Sequence, residues 1–511
     1  MDAVQTPAGI RRAAPYLAFI LLGLVLLLVP PESAFDTTDT QRLTAVAMLT
    51  AVLCWVVMCV FGRGRSAGAL VTLLIILGVI VRVGYGHYTG YALRQHDLGQ
   101  WNPSSGEFIS GHARYLAHYI ENWSPIQEAF WQSHHPPFYY LIGGKIIGFL
   151  TGTMGRSLFS ALESLQWFGA AVSGMTLVVC RRLFSCLGLR GGPLAAGMAL
   201  LCFHPSLIIL SGSISNENLA VFFMLAAVLL ALQWYQKPSW VNTALLALSV
   251  GLGILTKLST VQILPVAAVF IIMKLRGIKS AEGLAPLLRR LSVLLTVCVP
   301  LGLWPVLFSW IRFGVSPGFT QPSGAVMYVG DYSFAQRLFG NLPQQLGTLP
   351  YTSMRPETDS NIPMHILKSS LFGEFTFGGV NALALVFFCV NLAIIALSAA
   401  AFFCAARKRR GVGIAAEKAY SRQRGAAFFL SCIWAVNMLF YIGYNIAMPY
   451  IPAMDFRSAI PALVAGAGIL ALGGDRIKTS NPRLWRALRV PCFTLAAAFA
   501  VISCAFFLTI D

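Results

Sequence analysis

Just past the third long apolar run an imidazole and a carboxylate stand side by side, His96 and Asp97 in the stretch RQHDLGQWNP. A positioned carboxylate can take the proton of an attacking hydroxyl while the new bond forms. At this place in the chain it would meet the head of a lipid at the membrane surface; the plainer alternative is a solvated loop carboxylate. His96, His112, His134 and His135, with Asp97 and Glu107, also raise the question of a metal, because imidazoles and carboxylates suit zinc and other divalent ions. Their spacing matches no standard ligand motif, so no cofactor is assigned and a divalent metal stays open. Pro136 and Pro137 impose extended backbone on what precedes them, which gives His134 and His135 a sufficient structural role. Lys257 and Arg457, each at the end of an apolar run, are candidate contacts for a phosphate. The alternatives are a lysine that snorkels to the interface and an arginine paired with Asp455. Asn216 and Glu217 occupy a very short turn, where capping the next helix is favoured over orienting a substrate.

The elements that must position these groups are membrane helices. The chain has 511 residues, 57% of them hydrophobic and 11% charged, whereas soluble domains carry roughly 25% charged residues. Apolar runs near the ~20 residues needed to cross the hydrocarbon fall at 15–30, 43–61, 67–84, 158–179, 193–212, 218–236, 240–256, 258–275, 291–311, 377–404, 425–447, 458–474 and 490–510. A β-barrel would show short alternating segments instead. The run from Pro15 to Pro30 lacks a small-residue cleavage site and reads as a retained first helix. The expected fold is therefore an all-α integral membrane bundle of about thirteen transmembrane helices. Phe138 to Leu150 is too short for a span and carries Lys145, so it is expected to lie at the outer surface or to re-enter the membrane.

The net charge of +18 is unevenly placed. Basic clusters at Arg11–Arg12, Arg63–Arg65, Arg181–Arg182, Lys274–Arg290, Arg407–Arg424 and Arg476–Arg489 sit in alternate loops, which the positive-inside rule assigns to the cytoplasm. Basicity of this kind records topology, and nucleic acid is not an expected partner. The opposite face then holds two long loops, 85–157 and 312–376. Within the first, Ala113, Leu116, Ala117 and Ile120 recur at helical spacing and predict an amphipathic surface helix starting near Gly111. Ten of the eleven cysteines lie within or at the ends of apolar helices and Cys186 in a basic loop, which argues for packing rather than disulfides. The cytoplasmic loops contain no glycine-rich phosphate loop, so a nucleotide-dependent enzyme on that face is disfavoured.

The order of a span, then HD, then GHxxY on a helix (His112, Tyr115), then HPPxYYL (from His135) before another helix resembles lipid-phosphate-sugar-dependent glycosyltransferases of the GT-C type. The branch is that of protein mannosyltransferases and the bacterial aminoarabinose transferase, glycosyltransferase family 39-like. SNEN at 215–218, LTKLS at 255–259 and FRSAIPAL at 456–463 continue the resemblance over roughly residues 67–475. It implies a GT-C-like core at 67–475, two additional N-terminal helices at 1–66, and a cytoplasmic loop with a last span at 476–511. It also implies Asp97 as general base, with His96, His112, Tyr115, His135, Asn216, Glu217, Lys257 and Arg457 binding substrate. The activity expected is inverting transfer of a sugar from a polyprenyl-phosphate carrier to a hydroxyl of a glycan, lipid or protein. The setting expected is the outer side of a bacterial inner membrane. The rival readings are a transporter or lipid flippase and a non-catalytic assembly subunit. Transporters favour ionisable groups near the bilayer midplane, whereas here most acids fall in outer loops or near helix ends, with Glu163 the candidate exception.

Overall fold

A computed structural model describes residues 8–29, 37–130, 132–278, 280–314, 327–406 and 414–510. Asp2, the Pro30 end of the first run, Lys279, positions 315–326 of the second loop, and Arg407 to Arg410 lie outside the described residues. In chain order the helices are α1 (Ala8–Leu28), α2 (Thr37–Val60), α3 (Ala67–Thr89), α4 (Gly111–Glu121), α5 (Phe138–Gly152), α6 (Leu158–Cys186), α7 (Gly191–Cys202), α8 (Pro205–Ser211), α9 (Glu217–Gln236) and α10 (Trp240–Thr256). They continue as α11 (Leu264–Arg276), α12 (Ala281–Phe313), α13 (Phe334–Phe339), α14 (Leu342–Leu346), α15 (Pro356–Asp359), α16 (Ile362–Phe372), α17 (Asn381–Ala406), α18 (Ile414–Ala447), α19 (Ile460–Ser480) and α20 (Pro482–Phe507). A small antiparallel hairpin, β1 (Trp101–Asn102) with β2 (Glu107–Phe108), interrupts the first loop.

Among the described residues each expected apolar run falls largely on helix, with 193–212 broken at Phe203–His204 and 377–404 helical only from Asn381. Ten helical stretches are long and apolar enough to cross a membrane, and the pair α7–α8, bent by 49°, makes eleven if it is one span. Ala13–Leu28 and α10 are shorter apolar helices. α12 outruns its apolar stretch, starting at Ala281 rather than near 291, while α3, α6 and α10 start where their apolar runs start. Ser66, Ser157, Ser239 and Ser280 each accept a backbone N–H at the start of α3, α6, α10 and α12, satisfying donors that a helix start leaves open. The basic stretch 476–489, read as a loop from its charges, is helix except at Asn481, whose side chain caps α20 ahead of Pro482 at its first turn.

α6, α9 and α19 form the buried interior, with α3, α7 and α10 packed around them and α2 at the periphery. The bend between α7 and α8 follows from Pro205, which lacks the N–H that a continuous helix needs. It leaves the carbonyls of Leu201 and Cys202 without helical donors. Arg82 of α3, fully buried, fills that gap by donating to Cys202 O at 2.6 Å and Leu201 O at 3.3 Å, with Ser173 Oγ at 2.9 Å. Unsatisfied carbonyls in hydrocarbon cost several kcal/mol each, so this arginine is a structural requirement of the break.

α4 and α5 run parallel, in contact along their length. Gly144 permits the contact, since a Cβ there would sit 2.6 Å from both Leu116 O and Tyr119 Cβ. Asp97, beyond α3, and Glu217, the first residue of α9, both meet Arg457. With α7–α8 taken as one span, two crossings separate them, α6 and that pair, and a third through α5 would put them on opposite faces; on that count α5 stays on the face that carries Asp97. Glu163, in the first turns of α6, stands at that same end rather than at mid-depth. Topology reporters fused after Leu150 and after Arg190 will consequently report opposite sides, with Arg190 cytoplasmic by its charge. An outer-side report at Arg190, with the Leu150 fusion then cytoplasmic, would make α5 a span and undo the arrangement.

Candidate active site

Asp97 owes its position to an unusual local backbone. Its φ is +55°, a left-handed conformation that side chains other than glycine rarely adopt. Two contacts hold it there: the first N–H groups of α4, from His112 and Ala113, donate to Asp97 O at 3.0 Å and Leu98 O at 2.8 Å. This closure requires Gly99 and Gly111 to touch, for a Cβ on Gly111 would lie 2.4 Å from Gly99 Cα. The hairpin β1–β2 is the excursion between them, and it explains how Asp97 and the Gly-His pair meet despite their separation in sequence. Gln95 adds a second clamp, accepting from Ile214 N at 2.8 Å and donating to Gly212 O at 3.0 Å. Gln166 of α6 joins the same strands by donating to Gly90 O and Gly212 O, each at 2.8 Å. The segment leading to Glu217 is thereby fixed to the segment carrying Asp97.

Arg457 lies in a 3-10 turn just before α19 and is shared by three carboxylates: Asp97 at 3.3 Å, Glu217 at 3.7 Å and Asp455 at 3.9 Å. Glu217 also pairs with Lys257, which follows the last residue of α10. The preference for capping at Asn216 and Glu217 is corrected here. Asn216 has helical dihedrals and its side chain caps nothing; its amide donates to Thr256 O at 3.0 Å, next to Lys257, while its carbonyl oxygen is buried without a protein partner. Burial by itself would raise the Asp97 carboxyl, but the Arg457 guanidinium, with His112, His96 and Lys257 behind it, holds it below its ordinary value. Asp97 keeps 22% of its side chain exposed and Arg457 13%.

His96 is buried, with its Nδ1 at 2.7 Å from Glu374 Oε1 and Phe375 against its ring. Burial pushes this imidazole down, yet the Glu374 carboxylate outweighs it and lifts His96 above its ordinary value. Glu374 was visible in sequence only as one acid of the second loop, and nothing in its spacing tied it to His96. Its position comes from α16, which ends at Gly373 with φ +62°. That helix is fixed by a fully buried pair, Lys368 Nζ to Asp359 Oδ1 at 3.0 Å, with Ser353 Oγ on the other Asp359 oxygen at 2.8 Å. Ser369 Oγ accepts from Phe456 N at 3.1 Å, so the same helix also steadies the turn holding Arg457.

The remaining expected residues form the wall behind Asp97. His112 Nδ1 lies 2.7 Å from the Tyr140 hydroxyl, and burial lowers its pKa to about 4, which keeps it neutral. Tyr115 stacks on Tyr140 and donates to His135 O at 3.1 Å, so its hydroxyl holds the His-Pro-Pro turn. His135 is likewise kept neutral by burial and stacks on His112. His134, left as structural in the sequence reading, has both ring nitrogens buried without a protein partner, and burial lowers it to about 4 beside Lys257 and Asp97. It can offer a neutral hydrogen-bonding group. Glu107, in β2, is exposed and apart from the cluster. Among the described residues no group of three or more His, Cys, Asp or Glu is placed to hold a metal ion; His96 and His112 each already direct a ring nitrogen at a protein partner. The arrangement has a partly exposed carboxylate, Asp97, with two cations beside it and neutral polar side chains around them, which suits proton removal next to an anionic group.

A family model, dolichyl-phosphate-mannose-protein mannosyltransferase, matches residues 155–303. No curated protein sequence matches the chain. Among solved structures the chain is similar to ArnT from Cupriavidus metallidurans in the apo state, with 15% identity over 80% of this chain and 78% of that one and a TM-score of 0.34. For ArnT bound to undecaprenyl phosphate the identity is 16%, over 81% and 78%, with a TM-score of 0.32. For the apo oligosaccharyltransferase of Archaeoglobus fulgidus the identity is 13% over 85% of this chain, at a TM-score of 0.39, and the chain spans 55% of that protein's length. The family match, which takes in Glu217 and Lys257, agrees with the resemblance to GT-C-type glycosyltransferases carried by the ordered motifs: over residues 155–303 the chain is similar to the dolichyl-phosphate-mannose-protein mannosyltransferases.

Proposed function

We propose that this membrane protein is a glycosyltransferase that moves a sugar from a polyprenyl-phosphate carrier to an acceptor hydroxyl, with Asp97 as general base, on the extracytoplasmic side. The observation that carries the reading is the meeting of Asp97, Glu217 and Lys257 around Arg457, from four separate parts of the chain. The reaction needs three things there. The acceptor oxygen attacks the anomeric carbon as its proton passes to Asp97. The bond from that carbon to the phosphate oxygen breaks, and its electron pair leaves with the polyprenyl phosphate. Lys257 and Arg457 hold that phosphate through charge-assisted hydrogen bonds. A single displacement inverts the anomeric centre and requires no second carboxylate as nucleophile. Glu217, already paired with Lys257, is not available for that part.

The ion pair between Arg457 and Asp97 gives the base a substrate-dependent strength. In the free protein the guanidinium keeps Asp97 ionised but weakly basic. A phosphate bound at Arg457 draws that cation away and adds negative charge nearby, and both effects raise the affinity of Asp97 for a proton. The closeness of the site to the membrane face and its two cations favour a lipid phosphate over a soluble donor.

Asp97→Asn will lower transfer by about 10² to 10⁴, the usual worth of a general base, while donor binding persists. Glu107→Gln, on the exposed hairpin, will leave transfer near the parent rate. Near-normal transfer by Asp97→Asn in membranes, measured with radiolabelled lipid-linked sugar, would sink the assignment.

Arg457→Gln tests the electrostatics. Donor KM will rise, and the acid limb of kcat/KM, which reports the free enzyme, will move to higher pH. The sign follows from Asp97: its carboxyl is held low in the parent, so activity persists as pH falls until that low value is reached, and without the guanidinium burial raises it. An unmoved acid limb means that the titrating base is another group. If donor saturation is also unchanged in both Arg457→Gln and Lys257→Ala, the phosphate lies elsewhere.

A further inference from the structure

The segment 334–346 is built inside out for a surface that meets water. Its buried side chains are the polar Arg337 and Gln345, whereas Phe339 is 76% exposed and Leu346 54%, with Phe334 and Leu342 exposed beside them. Water on the outside would favour the reverse placement, since apolar area gains by leaving water and polar groups lose by burial. Hydrocarbon on the outside favours what is seen. The inner face is also too well tied for the segment to roll over. Arg337 donates to Asn445 O at 2.9 Å, Asn361 donates to Leu338 O and Gly340 O at 3.0 and 3.1 Å, and Asn341 donates to Ser360 Oγ at 3.0 Å.

The place of the segment agrees with its polarity. Asn445 lies in the last turn of α18, a helix long and apolar enough to span, whose Leu439 and Ile446 are exposed apolar side chains. α13 and α14 therefore stand where that helix leaves the hydrocarbon, and their phenylalanine and leucine side chains extend its lipid-facing surface. We infer that α13 and α14 form a membrane-inserted cap, with Phe334, Phe339, Leu342 and Leu346 in the bilayer leaflet on the Asp97 side. Interfacial helices bind in this plane by an apolar face, and here that face also carries the exposed Gln336 and Gln344. The inference stands on polarity and position and does not depend on the transferase reading. It has a bearing on the site nonetheless: Asn361, which holds α13 and α14, begins α16, and α16 ends beside Glu374, the partner of His96.

The test places a spin-labelled noncanonical residue at 339, 346 or 331 in the full chain, reconstituted in phosphatidylcholine vesicles. Relaxation by oxygen, which partitions into lipid, is compared with relaxation by a water-soluble nickel chelate. Labels at 339 and 346 will show a ratio of oxygen to nickel accessibility several-fold above that of the label at Asp331, an exposed position just before α13. Equal ratios at the three positions would place the segment in water and overturn the inference. Protection of 339 and 346 from both reagents would overturn it as well and indicate contact with a second protein chain.

Discussion

A nearly buried guanidinium cannot stand without counter-charges, and Arg457 draws them from parts of the chain that are far apart in sequence. Asp97 follows α3, Glu217 starts α9 and Asp455 precedes Arg457 itself. Removing one member of such a group leaves an uncompensated charge in low dielectric, which typically costs 3–5 kcal/mol. The cluster therefore sets a geometric condition on the whole bundle: α3, α9, α10 and α19 must end at one level and on one face. If α7–α8 is one span, that condition keeps α5 from crossing, because an additional crossing would separate the charges. It also accounts for the polar clamps of Gln95 and Gln166, which keep two loop segments in register beneath the cluster.

The helices were legible in the sequence because hydrocarbon imposes a length and a polarity on whatever crosses it. The expected runs fall largely on helix, ten or eleven of them long and apolar enough to span, and the start of α4 at Gly111 and the extent of α5 follow the predicted positions closely. What escaped was the behaviour of charged stretches. Residues 476–489 looked like a loop because they are basic, but a basic helix end at the membrane face keeps its hydrogen bonds and places its charges in water. In the site, Asp97, His96, Lys257, Glu217 and Arg457 could be named from local motifs. Their pairings could not, because each joins segments brought together only by the packed bundle. Glu374 is the clearest omission: its link to His96 depends on α16, which is fixed in turn by the buried Lys368–Asp359 pair. No local spacing encodes that chain of contacts.

Two arginines show how the same side chain answers two different demands. Arg82 satisfies backbone carbonyls freed by a proline break, and its contacts are with neutral oxygens. Arg457 faces carboxylates and keeps part of its surface open. The first closes a defect that hydrocarbon would otherwise punish. The second leaves a cation whose partners can be exchanged for an incoming anion.

Which partner would give way follows from how each carboxylate is held. Glu217 is shared between Lys257 and Arg457, Glu374 is held by His96, and Asp455 accepts the Arg457 backbone N–H at 2.8 Å in addition to its guanidinium contact. Asp97 meets Arg457 at 3.3 Å through one side-chain oxygen and is the most exposed of the three carboxylates that pair with Arg457. With four acids facing two fixed cations and His96, the site has no unneutralised positive charge waiting for a phosphate. In the proposed reaction an anionic headgroup would have to take a cation from a carboxylate, and the exchange would cost least at Asp97. The residue released is the one in position to accept a proton, so binding the anion and activating the base would be the same event.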